Sequence, residues 1–384
     1  MYRSHHRTPL HRSPVRPSTV RRALTCLATL VLVAGCSGSS GDGEAGSGTP
    51  TTVSGGGTGS AGKGSTTTTS GAGDPTASPE GGIASGEPVP SAGCGTAPTT
   101  PVQVERHDLG DRYYLLSTPP DQSPDTPLPV VLDLHGLLEG AQIHSQTSGF
   151  GPYAAEHDFI AVFPHGRGEP VKWDVSPDRT GNPDLVFLDA VLDQLETQRC
   201  VDTSRVYATG LSLGAIMSST LACVMSDRIA AIAPVDGLAL PEGCDPERPV
   251  PVLTFHGTDD PILLFNGGVA NLSGLLGGEE ERTEPPEADL DGEGYPATAA
   301  AWAEQNGCIG DPADTDRTDT VIERTWDCPA PSPVVFEIMV GAGHSWPGSA
   351  FSESIGAIVG PTDTSIDGTD LIWQFFQRFQ LPAD

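Results

Sequence analysis

The sequence is poor in basic residues: 20 Lys and Arg stand against 50 Asp and Glu, for a formal charge of −30 at pH 7. Phosphate backbones are bound by clustered cations, so this balance excludes nucleic acid as a partner and leaves an acidic, soluble surface. Every charged residue before Cys36 is an arginine, so loss of that segment makes the remainder more acidic still. A long hydrophobic run is also missing. The longest apolar stretch, "ALTCLATLVLVAGC", is too short to span a bilayer. No cysteine pair has CxxC spacing, which excludes the common zinc frameworks, and no internal repeat is present. With 37% hydrophobic residues over 384, there is enough apolar surface for one large domain or two ordinary ones.

What is present begins with an export signal. Arginines up to Arg22 precede the apolar run, which ends in small residues before a cysteine. The string "VAGC" resembles the bacterial lipobox, predicting cleavage after residue 35 and lipid on Cys36; Arg21-Arg22 leaves the general and twin-arginine routes both open. Residues 36–93 are nearly all Gly, Ser, Thr, Ala and Pro, with nothing periodic to bury, and read as a disordered tether with a reach of roughly 40 Å. The expected location is the outer face of the cell membrane, held by lipid alone, or the medium. Besides Cys26 and Cys36 six cysteines remain, an even number that suits disulfides in an exported chain. Short-range closure pairs Cys223 with Cys244 and Cys308 with Cys328, leaving Cys94 for Cys200.

From residue 94 to 384 the pattern changes. The strings "PVVLDLHG" (129–136), "FIAVFPHG" (159–166), "RVYATG" (205–210), "IAAIAPVDG" (229–237), "VPVLTFHG" (250–257) and "VVFEIMVGAGH" (334–344) read as buried strands ending in glycine or polar turns. Helical spacing relates Leu185, Leu188, Leu192 and Leu195, with Asp184 near the start; "ATAAAWAEQNG" and "DLIWQFFQRFQ" are further helices. Strands alternating with helices predict a mostly parallel central sheet with helices on both faces and ligands at the carboxyl ends of the strands.

One of those ends carries "GLSLG", residues 210–214. A serine on a strand-to-helix turn too tight for bulky neighbours two residues away is pushed out at the sheet's edge, beside amides able to hold an oxyanion. Ser212 is therefore the candidate nucleophile. It needs a base, and the base needs an acid, expected in the order Ser, acid, His along the chain. "FHGTDDPI" offers Asp259 and Asp260 just past a strand, and "GAGHSWPG" offers His344. His256 is the only other histidine after Ser212, and it precedes the acids.

The strings "LHG" (134–136), "GLSLGAIMS", "SDRIAAIAPVDG", "RPVPVLTFHGTDDPI", "WAEQNGC" and "GAGHSWPG" together resemble the extracellular polyhydroxybutyrate depolymerase and feruloyl esterase group of α/β-hydrolases, over roughly three quarters of the chain. The resemblance implies the α/β-hydrolase fold, Ser212 as nucleophile, Asp260 rather than Asp259 as orienting acid and His344 as base. Oxyanion donors are expected from the backbone N–H of Leu213 and, in the loop after "LDLHG", of Leu137, although "HGLLEGA" has less glycine there than other members of the group. His135 is a candidate brace for that loop or a substrate contact; Trp173 and Trp346 are candidate walls of an acyl pocket. Residues 266–295 form an acidic insertion, either a lid or a passive loop. "DLDGE" and "DPADTD" lack full calcium-loop spacing and read as surface acid runs.

The expected protein is a monomeric serine carboxylesterase that needs no cofactor and no metal. Its substrate is an ester, either acyl or feruloyl groups on plant polysaccharide or short polyester oligomers. The competing expectation is a noncatalytic surface module that keeps the fold for binding.

Overall fold

A computed structural model of the protein describes residues 86–270 and 284–382. The export signal, Cys36, most of the tether and residues 271–283 of the acidic insertion lie outside the described residues. Among those described, no helix is long and apolar enough to cross a membrane.

The chain enters through β1 (Glu105–Leu109), β2 (Arg112–Ser117) and β3 (Leu128–Leu134), then α1 (Gly140–Thr147), α2 (Phe150–Glu156) and β4 (Ile160–Pro164). Next come α3 (Pro183–Gln198), β5 (Val201–Leu211), α4 (Leu213–Val224), β6 (Ala231–Val235) and β7 (Val252–Gly257). After the insertion follow α5 (Tyr295–Gln305), β8 (Ile309–Asp316), β9 (Val321–Asp327) and β10 (Val334–Met339). The short α6 (Ala350–Ser354) and α7 (Gly356–Val359) precede α8 (Gly368–Phe376).

All ten strands among the described residues form one sheet in the order β1-β2-β4-β3-β5-β6-β7-β10-β9-β8. The six central strands, β4 to β10 in that order, run parallel, with an antiparallel pair added at each edge. This is the expected α/β-hydrolase architecture.

Period-two burial explains its layers. Val130, Leu132 and Leu134 of β3 pack on one face with Leu185, Leu188, Leu192 and Leu195 of α3 and Met217 of α4, while Val131 points to the other face, toward Phe150, Trp373 and Phe376. Helix α3 begins as its sequence implies: the Asn182 side chain accepts from the Asp184 and Leu185 amides, and proline takes the first helical position.

The three disulfides pair as spacing suggested, Cys94–Cys200, Cys223–Cys244 and Cys308–Cys328. Residues 86–93, assigned to the tether by composition, are held against the domain. Pro90 bridges Asp202, and the Ser91 N–H donates to Val201 O at 2.9 Å.

The edge strands differ from the sequence reading. "DPADTD", read as a surface acid run, lies in β8, where every residue is exposed. No apolar alternation marks this strand; the Cys308–Cys328 link and pairing with β9 hold it, and Arg324 of β9 binds Asp314 at 2.7 Å. The same arginine takes Asp291 of "DLDGE" at 2.9 Å, so that carboxylate is engaged by a cation of the chain itself.

Candidate active site

The turn between β5 and α4 shows why a lone serine sits between two glycines. A side chain at Gly210 would bring its Cβ within 2.3 Å of Leu134 O, and one at Gly214 within 1.9 Å of the same oxygen. Neither position has room for a methyl group, because β3 runs directly against the turn. Ser212 itself has φ 58° and ψ −119°, a backbone conformation that costs a non-glycine residue on the order of 1–3 kcal/mol and persists only where its surroundings impose it. The Ser212 N–H to Val235 O bond at 2.9 Å and the Ile216 N–H to Ser212 O bond at 3.1 Å impose it here. The side chain is left half-buried at the carboxyl end of the sheet, with Oγ making no hydrogen bond among the described residues. Leu213 opens α4, so its N–H has no partner within the helix.

His344 lies in the turn after β10. Its Nδ1 donates to Asp260 Oδ2 at 2.7 Å, and both side chains are buried. Asp260 is held in turn by the Ile262 and Leu263 amides, which donate to Oδ1 at 2.7 and 2.9 Å. Asp259 points outward. Of the two neighbouring acids, the structure thus brings Asp260 to the histidine. Burial acts to lower the His344 pKa, but the charge of Asp260 and its hydrogen bond outweigh that and raise it. The Asp260 carboxyl shows the converse: burial acts to raise it, and the two nearby imidazoles, His344 and His256, hold it well below the ordinary carboxylate range.

Ser212 and His344 meet across a common neighbour. Behind the serine is Gly237, where a Cβ would come within 2.4 Å of Ser212 O; the preceding residue, Asp236, accepts the Ser345 N–H at 2.8 Å. The serine turn and the histidine loop therefore bracket one dipeptide. No hydrogen bond joins Ser212 Oγ to His344 Nε2 among the described residues, and such bonds are often long before substrate binds.

The loop after β3 closes the site from the other side. A Cβ on Gly136 would lie 3.4 Å from Ser212 Cβ, which sets this loop against the serine. The Leu137 N–H has no partner among the described residues, whereas the Gly136 N–H is taken by Glu139 Oε2 at 2.8 Å. His135 is wholly buried and does brace the loop: Nε2 accepts from the Gly166 N–H at 2.9 Å, so Nδ1 carries the proton and donates to Gly136 O at 2.7 Å. Burial holds its pKa down at about 4, so it stays neutral.

The three residues read as possible substrate contacts lie deep. His135, Trp173 and Trp346 are all buried, and each indole N–H is spent on the protein: Trp173 Nε1 donates to His135 O at 2.8 Å and Trp346 Nε1 to Thr369 Oγ1 at 2.9 Å. They support the site from behind. The large apolar side chains exposed in the loop that carries Gly136 are Leu137 and Leu138, 43% and 54% exposed.

A buried network under the same loop escaped the sequence reading. His144 Nε2 lies 2.6 Å from Asp133 Oδ1, and its Nδ1 lies 3.0 Å from Glu139 Oε2. Ser148 and Thr147 donate their hydroxyls to Asp133 and Glu139, respectively. Burial acts to lower the His144 pKa, yet the two carboxylates raise it to about 10, making the ring an imidazolium between two anions. Two signals were in the string: a carboxylate amid the apolar "VVLDL", and a glutamate in a loop of leucines and glycines.

No family model matches the chain. It is 30% identical over 212 residues to feruloyl esterase B of Piromyces equi, which covers 52% of this chain and 37% of that protein. It is 33% identical over 187 residues to a probable feruloyl esterase C of Aspergillus niger, covering 47% of this chain and 65% of that one. A bifunctional acetylxylan esterase/xylanase of Neocallimastix patriciarum is 29% identical over 161 residues, 42% of this chain and 23% of that protein. The chain thus spans less than two thirds of the length of these relatives. Among solved structures, an acetyl xylan esterase from Aspergillus awamori aligns over 71% of this chain and 98% of that one, at 15% identity and a TM-score of 0.45. The chain is similar in sequence to feruloyl esterases, as the motifs implied, and to an acetylxylan esterase/xylanase.

Proposed function

We propose that this chain is a serine carboxylesterase that cleaves acyl or feruloyl esters linked to polysaccharide, within a catalytic domain spanning residues 94–384. The observation that carries the reading is the buried Asp260–His344 pair beside the strained turn of Ser212. In this reading Ser212 Oγ attacks the ester carbonyl and passes its proton to His344 Nε2, while Asp260 holds the ring by Nδ1 and stabilises the imidazolium. The tetrahedral oxyanion is received by the N–H groups of Leu213 and Leu137, neither of which has another partner among the described residues. His344 then returns the proton to the leaving alcohol, and water repeats the sequence on the acyl-enzyme. Nothing in these steps calls for a metal or cofactor.

The exposed Leu137 and Leu138 make an apolar rim at the serine, which suits the flat ring of a feruloyl group better than a bare acetyl. Leu138 has φ 72°, a conformation aspartate tolerates, so Leu138→Asp changes the rim without adding backbone strain. We expect this variant to raise KM for methyl ferulate by about tenfold, the scale of a few lost apolar contacts, and to affect acetylated xylan less. The test of the function is parallel hydrolysis of methyl ferulate, acetylated xylan and 3-hydroxybutyrate oligomers by the wild-type chain. Turnover of the first two supports a polysaccharide esterase, and preference for the third moves the substrate to polyesters. A folded chain inert toward all three removes the hydrolase reading in favour of a binding module.

Three disulfides suit an oxidising compartment outside the cytosol. Together with the leader sequence they support export, with lipid on Cys36 as the anchor.

A further inference from the structure

Asp236 stands one residue beyond β6 with φ 47°, wholly buried. Its two oxygens are both engaged: Oδ1 accepts the Gly257 N–H at 3.1 Å and Oδ2 the Ser345 N–H at 2.8 Å. One carboxylate therefore ties the end of β7, which leads to Asp260, to the residue that follows His344. A carboxylate oxygen of Asp236, one of Asp260 and a ring nitrogen of His344 all lie within 4.8 Å of one another. A single acid is enough to orient an imidazole. Here there are two.

His256 joins them. Its Nε2 donates to Leu263 O at 2.9 Å and lies 3.3 Å from Asp260 Oδ2. Its Nδ1, buried and without a hydrogen-bond partner among the described residues, faces Asp236 Oδ1 across 3.7 Å. The cluster is closed by Tyr295 of α5, stacked on His256 at 3.5 Å, and by Glu139 from the loop after β3, whose charge reaches His344. Burial raises the Asp236 carboxyl to about 7, with His256 and His344 opposing the rise and Asp260 adding to it.

We propose that Asp236 is a positioning residue, a second carboxylate behind His344 that shares with Asp260 the stabilisation of the imidazolium formed as Ser212 loses its proton. The inference rests on the ester-hydrolase reading and deepens it. The proton itself travels only from Ser212 Oγ to His344 Nε2 and on to the leaving alcohol; Asp236 contributes the hold on Ser345 and, above about pH 7 where its carboxyl is ionised, charge.

The test combines kinetics on p-nitrophenyl acetate with NMR titration of the His344 ring in the 15N-labelled chain. Asp260→Asn is expected to stay about a hundredfold above Ser212→Ala, and Asp236→Asn/Asp260→Asn to fall about tenfold below Asp260→Asn, because the remaining charge has gone. Asp236→Asn alone should lower kcat with KM unchanged and move the His344 titration to lower pH, which a merely structural residue does not do. A double variant equal to Asp260→Asn, or a His344 titration the same in Asp236→Asn as in wild type, overturns the proposal. If Asp236→Asn fails to fold, the wild-type ring decides: a second inflection from a neighbouring carboxyl supports the proposal, and a single-step curve refutes it. A chain inactive on every ester defeats the hydrolase reading by itself, while the His344 titration still decides on Asp236.

Discussion

Asp260→Asn is expected to lower kcat by about 10⁴, with the fold and KM little changed, because an amide at this position favours the wrong tautomer of the base. The side-chain amide retains an oxygen for the Ile262 and Leu263 N–H groups, so the turn survives. What the variant loses is the charge that raises His344. The base works only when neutral, so a raised pKa places the acid limb of kcat/KM above the ordinary histidine value of 6.5, with activity lost as pH falls through it. Asp260→Asn should move that limb to lower pH while depressing the plateau. A pH profile measured on both proteins checks the shift; an unmoved limb denies that Asp260 acts on the base.

The largest effect on stability is expected at His144. Its ring is fully buried between Asp133 and Glu139, and His144→Ala leaves the buried Asp133 carboxylate and the largely buried Glu139 carboxylate without the cation. Breaking a buried pair from one side costs about 3–5 kcal/mol, which for a domain of this size lowers Tm by roughly 10 °C. The pH dependence follows from the direction of the shift. The folded-state pKa of about 10 lies above the ordinary 6.5, so the ring's contribution is complete below 6.5 and disappears as pH rises through 10. The Tm gap between wild type and His144→Ala should therefore narrow from pH 6 to pH 10. A constant gap contradicts an imidazolium at this position. Because Glu139 also holds the Gly136 amide, the variant should lose activity as well, through the loop that presents Leu137.

The strands at the centre of the sheet were legible because burial on both faces demands continuous apolar runs, and "PVVLDLHG" or "VPVLTFHG" fit nothing else so well. The outer strands were not. β1, "ERHDL", and β8, "IGDPADTD", carry no apolar alternation, since their pairing is dictated by β2, by β9 and by a disulfide. In the candidate site, Ser212 and His344 stood out because glycines surround them, and those glycines stand where an added Cβ would come within 1.9 Å of a neighbour at Gly214 and 2.2 Å at Gly343. Local strings record such close approaches. They do not record depth, such as the burial of Trp173 and Trp346, nor distant pairing. Asp236 and Ser345 are 109 residues apart, and His144 meets Asp133 through the packing of α1 on β3.

The central claim is that Ser212 is the nucleophile served by His344. A fluorophosphonate, which captures a serine only when a base activates it, tests this most directly when followed by peptide mapping. The account predicts one adduct, on Ser212, forming in step with the loss of esterase activity and absent in His344→Ala. An adduct on another residue, or ester hydrolysis that survives Ser212→Ala at the wild-type rate, contradicts it.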